Sequence, residues 1–213
     1  ALHQKGDHER LAQLQAISRL ATVTAVEQKE MRGTGDAVLT AEEAVAGEPF
    51  LAIYPDDVIV ADPPVAHQVI EVFSERHAPV CAVEEVPETE VQNYGIADGE
   101  MIGERLLRVE RLVEKPSPSE VRSRMALFGR YVLTADIFDV IRETPPGRQG
   151  EVWLTDAVNT LASRREVYAY AFEGTRYDTG RPVTMLKGAI DVALRDPEAG
   201  SELASFLRER LAK

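Results

Sequence analysis

Cysteine is nearly absent: Cys81 is the one example in 213 residues. It has no intrachain disulfide partner, and the apolar run APVCAV around it predicts a small core residue in a reducing, cytoplasmic setting. Basic side chains are also in short supply. With 24 Lys plus Arg against 36 Asp plus Glu, the net charge is −12 at pH 7, which excludes a general attraction to nucleic acid or anionic membranes. Any phosphate-binding site must therefore be local. No apolar run approaches the roughly 20 residues of a membrane span, and the opening ALHQKGDHER is polar rather than signal-like. The four histidines, His3, His8, His67 and His77, stand at no zinc-ligand spacing with one another or with cysteine. Linkers, internal repeats and low-complexity tracts are also lacking, so a single soluble domain over residues 1–213 is expected.

What remains is an alternation of strand-like and helix-like segments. DHERLAQLQAISRL places Leu11, Leu14 and Ile17 on one side of a helix and runs into the β-rich ATVTAVEQ. GTGDAVLTAEEAV reads as a glycine turn opening a helix. FLAIYP is a strand apolar enough for burial on both faces, PPVAHQVIEVFSERH a helix begun by prolines, and APVCAVEEV a further strand. This rhythm predicts an α/β fold, a mainly parallel mixed sheet flanked by helices, with ligands off the carboxyl ends of the strands. NYGIADGEMIG and RLLRVERLVEKP suggest an appended strand pair; MALFGRYVL and VYAYAFEG read as strands, TADIFDVIRE and GEVWLTDAVNTLASRRE as helices. TRYDTG is expected to be loop before a helix begun by Pro182, and residues 201–213 a Ser-capped amphipathic C-terminal helix.

Four short pieces carry chemistry: RGTGDAV, YPDD, VEKP and YDTG. They supply glycines for close backbone approach, carboxylates suited to a hard divalent cation, a Glu-Lys pair and a second acid in a glycine turn. Each has an ordinary alternative. Taken alone, Pro55, Asp56 and Asp57 read first as a chain turn, Glu114 and Lys115 as a solvated pair before Pro116, and Tyr94 and Gly95 as a strand start, while Gln28 reads equally well as a surface amide.

Taken in order, however, Gln28 with GTGDAV, then YPDD, NYGI, VEKP, GRYVLTADIFD, E-x-x-LTDAV and YDTG give a text over about residues 25–190 that resembles the sugar-nucleotide pyrophosphorylases, Rossmann-like nucleotidyltransferases. The resemblance implies UTP and glucose 1-phosphate as substrates, UDP-glucose and pyrophosphate as products, and Mg²⁺ as cofactor. It also implies roles for residues. Gln28 and Gly33 would read the uracil, Tyr94 and Gly95 lie against glucose, and Glu114 accept hydrogen bonds from sugar hydroxyls. Lys115 would neutralise phosphate oxygens as the catalytic cation, and Asp56 and Asp178 hold the metal, with Asp57 a turn former or support. Glu151, Thr155 and Asp156 are read as structural. A dTTP- or ATP-dependent enzyme is the neighbouring reading, since thymine shares the pairing edge of uracil; a truncated, non-catalytic sugar-nucleotide-binding relative is another. A dinucleotide-binding domain is disfavoured, as no G-x-G-x-x-G follows a strand. One family feature is missing: the opening strand and G-x-G-T-R loop that cradle the triphosphate. An N-terminal portion carrying them is expected outside these 213 residues, and a sheet without that strand should keep an exposed edge. Leu203, Phe206, Leu207 and Leu211 fall on one helical stripe which, with the resemblance, predicts a homo-oligomer.

Overall fold

The structure, a computed structural model, describes residues 8–147 and 150–212; expectations for His3, and for Lys213 at the end of the last helix, lie outside them. Two compact units partition the chain, residues 1–30 and 31–213. In the first, helix α1 (His8–Ser18) forms where helical spacing predicts it. ATVTAVEQ, by contrast, joins no ladder among the described residues. A β-rich composition expresses fit to a pleated neighbour, and this unit offers no second described strand. Leu20 and Val23 stay exposed.

The second unit contains β1 (Phe50–Ile53), β2 (Asp57–Val60), β3 (Val80–Glu85), β4 (Gly95–Met101), β5 (Leu106–Glu114), β6 (Met125–Leu133), β7 (Tyr168–Ala171) and β8 (Thr175–Asp178). Six of these form one sheet in the order β1-β6-β3-β7-β5-β4, and β2 pairs with β8 in a separate two-stranded ribbon. The mixed, helix-flanked sheet is the one the alternation implies. Its ladders depart from the mainly parallel pattern: among the described residues only β3–β7 is parallel, while β1–β6, β3–β6, β4–β5, β4–β6 and β5–β7 are antiparallel. The cause is interleaving. β1, β3, β4 and β7 all run one way, but β5 and β6 run against them and sit between them. TRYD is also not loop; it is β8, whose partner lies far away in sequence at β2.

Helices α2 (Thr34–Leu39), α3 (Glu42–Val45), α4 (Val65–Arg76), α5 (Asp136–Glu143), α6 (Leu154–Ala162), α7 (Pro182–Leu194) and α8 (Gly200–Leu211) complete the unit. The period-2 alternation of β3 divides its side chains between two cores. Cys81 and Val83 join Ile137 and Phe138 of α5 and Leu154 and Val158 of α6, whereas Val80 and Ala82 join Val65 and Val69 of α4. Each fully buried Val, Leu or Ile contributes about 1.5–3 kcal/mol. Cys81 is the expected core thiol, its pKa pushed up to about 12 by burial. The Ser cap expected for the last helix is not used. Ser201 lies inside α8, and the Asp196 carboxylate accepts the amides of Glu198 and Ala199 just before it.

Candidate active site

The register around β6 creates the site. β3 occupies one side of β6 from Met125 to Val132. On the other side β1 pairs with residues 130–133 and β4 with Met125 and Ala126. Leu127 and Phe128 therefore have no ladder partner on that side, and the C-terminal end of β1 faces the start of β4 across the break. A cleft of about 330 Å³ opens there, with Leu127 and Gly129 in its wall. Glycine is required at position 129: its φ is +43°, and a Cβ would meet that of Tyr54 at 2.6 Å. Its carbonyl accepts the Tyr54 amide at 2.8 Å.

Beyond β1 the chain turns through Pro55 and Asp56 into β2. Asp57 stands opposite Asp178 in the β2–β8 register, so both metal-candidate acids, Asp56 and Asp178, come to the same cleft from distant parts of the chain. The amide and hydroxyl of Thr179 donate to the Asp56 carbonyl at 2.9 and 2.7 Å, and the Gly180 amide holds Asp178 Oδ1 at 2.9 Å. Asp57 is no mere turn former. It begins β2 and accepts from the Arg176 guanidinium at 3.0 Å. Burial raises its pKa, and Arg176 opposes the rise.

Across the cleft, Gly95 pairs with Glu114 and the Lys115 amide donates to the Tyr94 carbonyl at 3.0 Å. The NYG and VEK pieces are thus the two ends of one hairpin, β4–β5. A Cβ on Gly95 would lie 2.9 Å from Glu114 Oε2, so glycine keeps that carboxylate accessible. Burial raises the pKa of Glu114, while a Thr155 hydrogen bond and the charge of Lys115 pull against it. Lys115 holds a left-handed φ of +46° and carries its Nζ 5.2 Å from the centre of the Trp153 ring. The indole donates to Glu151 Oε2 at 2.7 Å.

Of the residues singled out in the sequence, Asp56, Tyr94, Gly95, Glu114, Lys115 and Asp178 share this cleft. Gly33 packs instead beneath the Val152 backbone, where a Cβ would come within 2.5 Å of the carbonyl oxygen; its neighbour Thr34 reaches the cleft wall. Gln28, half-buried, belongs to the first unit. Sequence reasoning passed over Tyr54, Tyr131 and Trp153 and read Thr155 as structural; all four also line the cleft. Thr155 lies beside Glu114 and Tyr131 and favours their charged forms. As a threonine near a helix start it carries an ordinary capping signature, which hides the role. Burial raises Tyr54 to about 12, so it faces the site as a neutral phenol.

Charge supplies a test of metal fitness. Asp56, Asp57, Glu114, Glu151 and Asp178 line the cleft, against Lys115 as the cation among the described lining residues. A phosphorylated ligand entering such a wall needs further positive charge. No cage of three or more His, Cys, Asp or Glu occurs among the described residues. Two carboxylates, with remaining positions left for phosphate and water, are the pattern that suits magnesium. The acid pair fits that ion.

A family model described as nucleotidyl transferase matches residues 1–193. The chain belongs to the nucleotidyl transferase family. The chain is 38% identical over 208 residues to a UTP–glucose-1-phosphate uridylyltransferase of Staphylococcus epidermidis, covering 98% of this chain and 72% of that protein. A UTP-bound UDP-glucose pyrophosphorylase from Acinetobacter baumannii superposes with a TM-score of 0.87 at 30% identity, covering 98% of this chain and 73% of that one. A UDP-glucose pyrophosphorylase complexed with UDP-glucose gives 0.80 at 35% identity, over 86% and 70%. The nucleotidyl transferase match spans every residue of the cleft.

Proposed function

We propose that this protein transfers a uridylyl group from UTP to glucose 1-phosphate, forming UDP-glucose and pyrophosphate. One observation carries the reading: Asp56, Asp178 and the Glu114–Lys115 pair converge on a single cleft in a chain 38% identical to a uridylyltransferase. A phosphate oxygen of the sugar forms the new bond to the α-phosphorus of UTP, and the bond from that phosphorus to the departing pyrophosphate breaks. Both reactants bring their own phosphates, so no protein nucleophile is needed. Rate enhancement then rests on alignment and on neutralising developing charge.

In this reading Lys115 is the mobile cation for phosphate oxygens, Glu114 accepts from the sugar hydroxyls, and the Tyr94–Gly95 turn lies against the sugar ring. Asp56 and Asp178 would hold Mg²⁺, which when bound supplies positive charge to phosphate oxygens. The reading also places the protein in the cytoplasm as a homo-oligomer. No helix among the described residues is long and apolar enough to cross a membrane, and the exposed apolar side chains of α7 supply a self-association surface. The test is to incubate the protein with Mg²⁺, glucose 1-phosphate and each nucleoside triphosphate in turn, measuring pyrophosphate release and identifying the sugar nucleotide. UDP-glucose from UTP is expected. Product from dTTP or ATP in preference to UTP, or no turnover with any triphosphate by a protein that carries the glycine-rich loop, overturns the reading.

A further inference from the structure

The β2–β8 ribbon bears on this site in a way its own ladder does not explain. It carries Asp56 and Asp178 at one end, yet among the described residues no backbone ladder joins it to the six-stranded sheet. A two-stranded ribbon is marginal alone, and a metal pair must be held to within a fraction of an ångström. Something other than strand pairing must fix the ribbon against the rest of the fold. At its far end Gln68 of α4 does so, donating to the carbonyls of Pro63 and Glu173 and accepting the Glu173 amide. At the site end two arginines do.

Arg176 projects from β8 two residues before Asp178. Its guanidinium bonds Asp57 Oδ1 and, on β3, Glu84 Oε2, each at 3.0 Å. It also lies 3.7 Å from the Phe128 ring centre and 5.4 Å from that of Tyr94. One side chain thus ties the acid-bearing ribbon to β3, to β6 beside the break, and to the sugar-side turn. Arg130 of β6 grips the connecting loop, donating to the carbonyls of Tyr54 at 2.9 Å and Asp57 at 2.7 Å, on either side of Asp56.

We infer that Arg176 and Arg130 are positioning residues that set the separation of Asp56 and Asp178 and hold that pair in register with the Tyr94–Gly95 turn. The inference rests on the metal role proposed for the two acids. It predicts that replacing either arginine weakens metal binding without unfolding the protein, because a lysine cannot reproduce a fork that serves two partners at once.

The experiment reads Mn²⁺ binding from its electron paramagnetic resonance signal, with UDP-glucose present, and follows folding by thermal melting. Arg176→Lys and Arg130→Lys are the principal variants, with Arg176→Met as the more severe change. Asp56→Asn and Asp178→Asn are the reference variants. About tenfold weaker Mn²⁺ binding in the folded lysine variants, with the KM for metal raised more than kcat is lowered, is the expected result. If the asparagine variants lose Mn²⁺ while folded arginine variants bind it within twofold of the unaltered protein, the positioning role is overturned and the metal reading survives. If the asparagine variants bind Mn²⁺ normally, the metal reading fails and this inference with it.

Discussion

Lys115 combines three constraints at one residue: a left-handed backbone, an amide tied to Tyr94 and an ammonium over Trp153. A cation–π contact at an exposed site contributes only about 0.5–1 kcal/mol, far less than a charge-assisted bond to phosphate in a transition state. Lys115→Ala is therefore expected to lower turnover about 10²–10³-fold while leaving the melting temperature nearly unchanged. Equal losses in both would refute the assignment. Trp153 is the chain's one tryptophan, so intrinsic fluorescence reports on this contact. Glucose 1-phosphate should change that signal in the unaltered protein and leave it unchanged in Lys115→Ala. Glu114 sets the pH response. Its pKa is raised by burial, so its contribution to stability is present below its unfolded value and is lost as pH rises through the folded one. Function runs the other way, since only the carboxylate accepts two sugar hydroxyls. The KM for glucose 1-phosphate should climb on acidification at a pH above the ordinary glutamate value of about 4.3, and Glu114→Gln should abolish that acid limb.

At the scale of elements, the start of α2 is held by backbone contact. The Gly35 amide donates to the Val152 carbonyl at 2.9 Å and the Val152 amide to the Arg32 carbonyl at 2.7 Å, with Gly33 at φ +103° and ψ 176° between them. That conformation is almost reserved for glycine. Gly33→Ala should destabilise the protein by about 1–3 kcal/mol from the backbone conformation alone, and by more once the alanine Cβ meets Val152; a denaturation midpoint unchanged from the unaltered protein would rule this out. Here the sequence was only partly informative. Long apolar elements such as β3, α4 and β6 were legible because hydrophobic period alone specifies them. β8 was missed: TRYD is short and polar, and its strand character depends on a distant partner, β2, where Asp57 faces Asp178. The direction of β5 and β6 was equally hidden, because strand patterns carry no sign of which neighbour will be chosen. Within the site, Asp56 and Asp178 were legible only through motif resemblance. Arg176 gave no signal, since an arginine two residues before an aspartate looks like any solvated pair until Glu84 and Phe128 are brought beside it.

For the whole molecule, a net charge of −12 opposes self-association except where apolar area outweighs it. The α7 helix offers such area. Val183, Leu186, Ile190 and Leu194 follow helical spacing and are all exposed, Leu186 by 61%. On α8 the predicted stripe is divided: Leu203 and Leu207 are half-buried, while Phe206 and Leu211 face outward. Light scattering at micromolar concentration should therefore give a mass above 23.5 kDa, and Leu186→Glu should shift it toward the monomer. A monomeric mass for the unaltered protein would refute the oligomer.

The outer edge of β1 has a temporal signature. The Tyr54 amide donates inward to Gly129, and alternation along an antiparallel strand aims the Ala52 amide inward as well and the amides of Leu51 and Ile53 outward. No described strand lies along that edge. In heavy water, β1 should record a two-beat pattern, with Leu51 and Ile53 losing their protons quickly while Ala52 keeps its own far longer. Slow loss at Leu51 and Ile53 would mean that another length of chain had come to rest along the edge, so those two amides act as a clock for any strand that docks there.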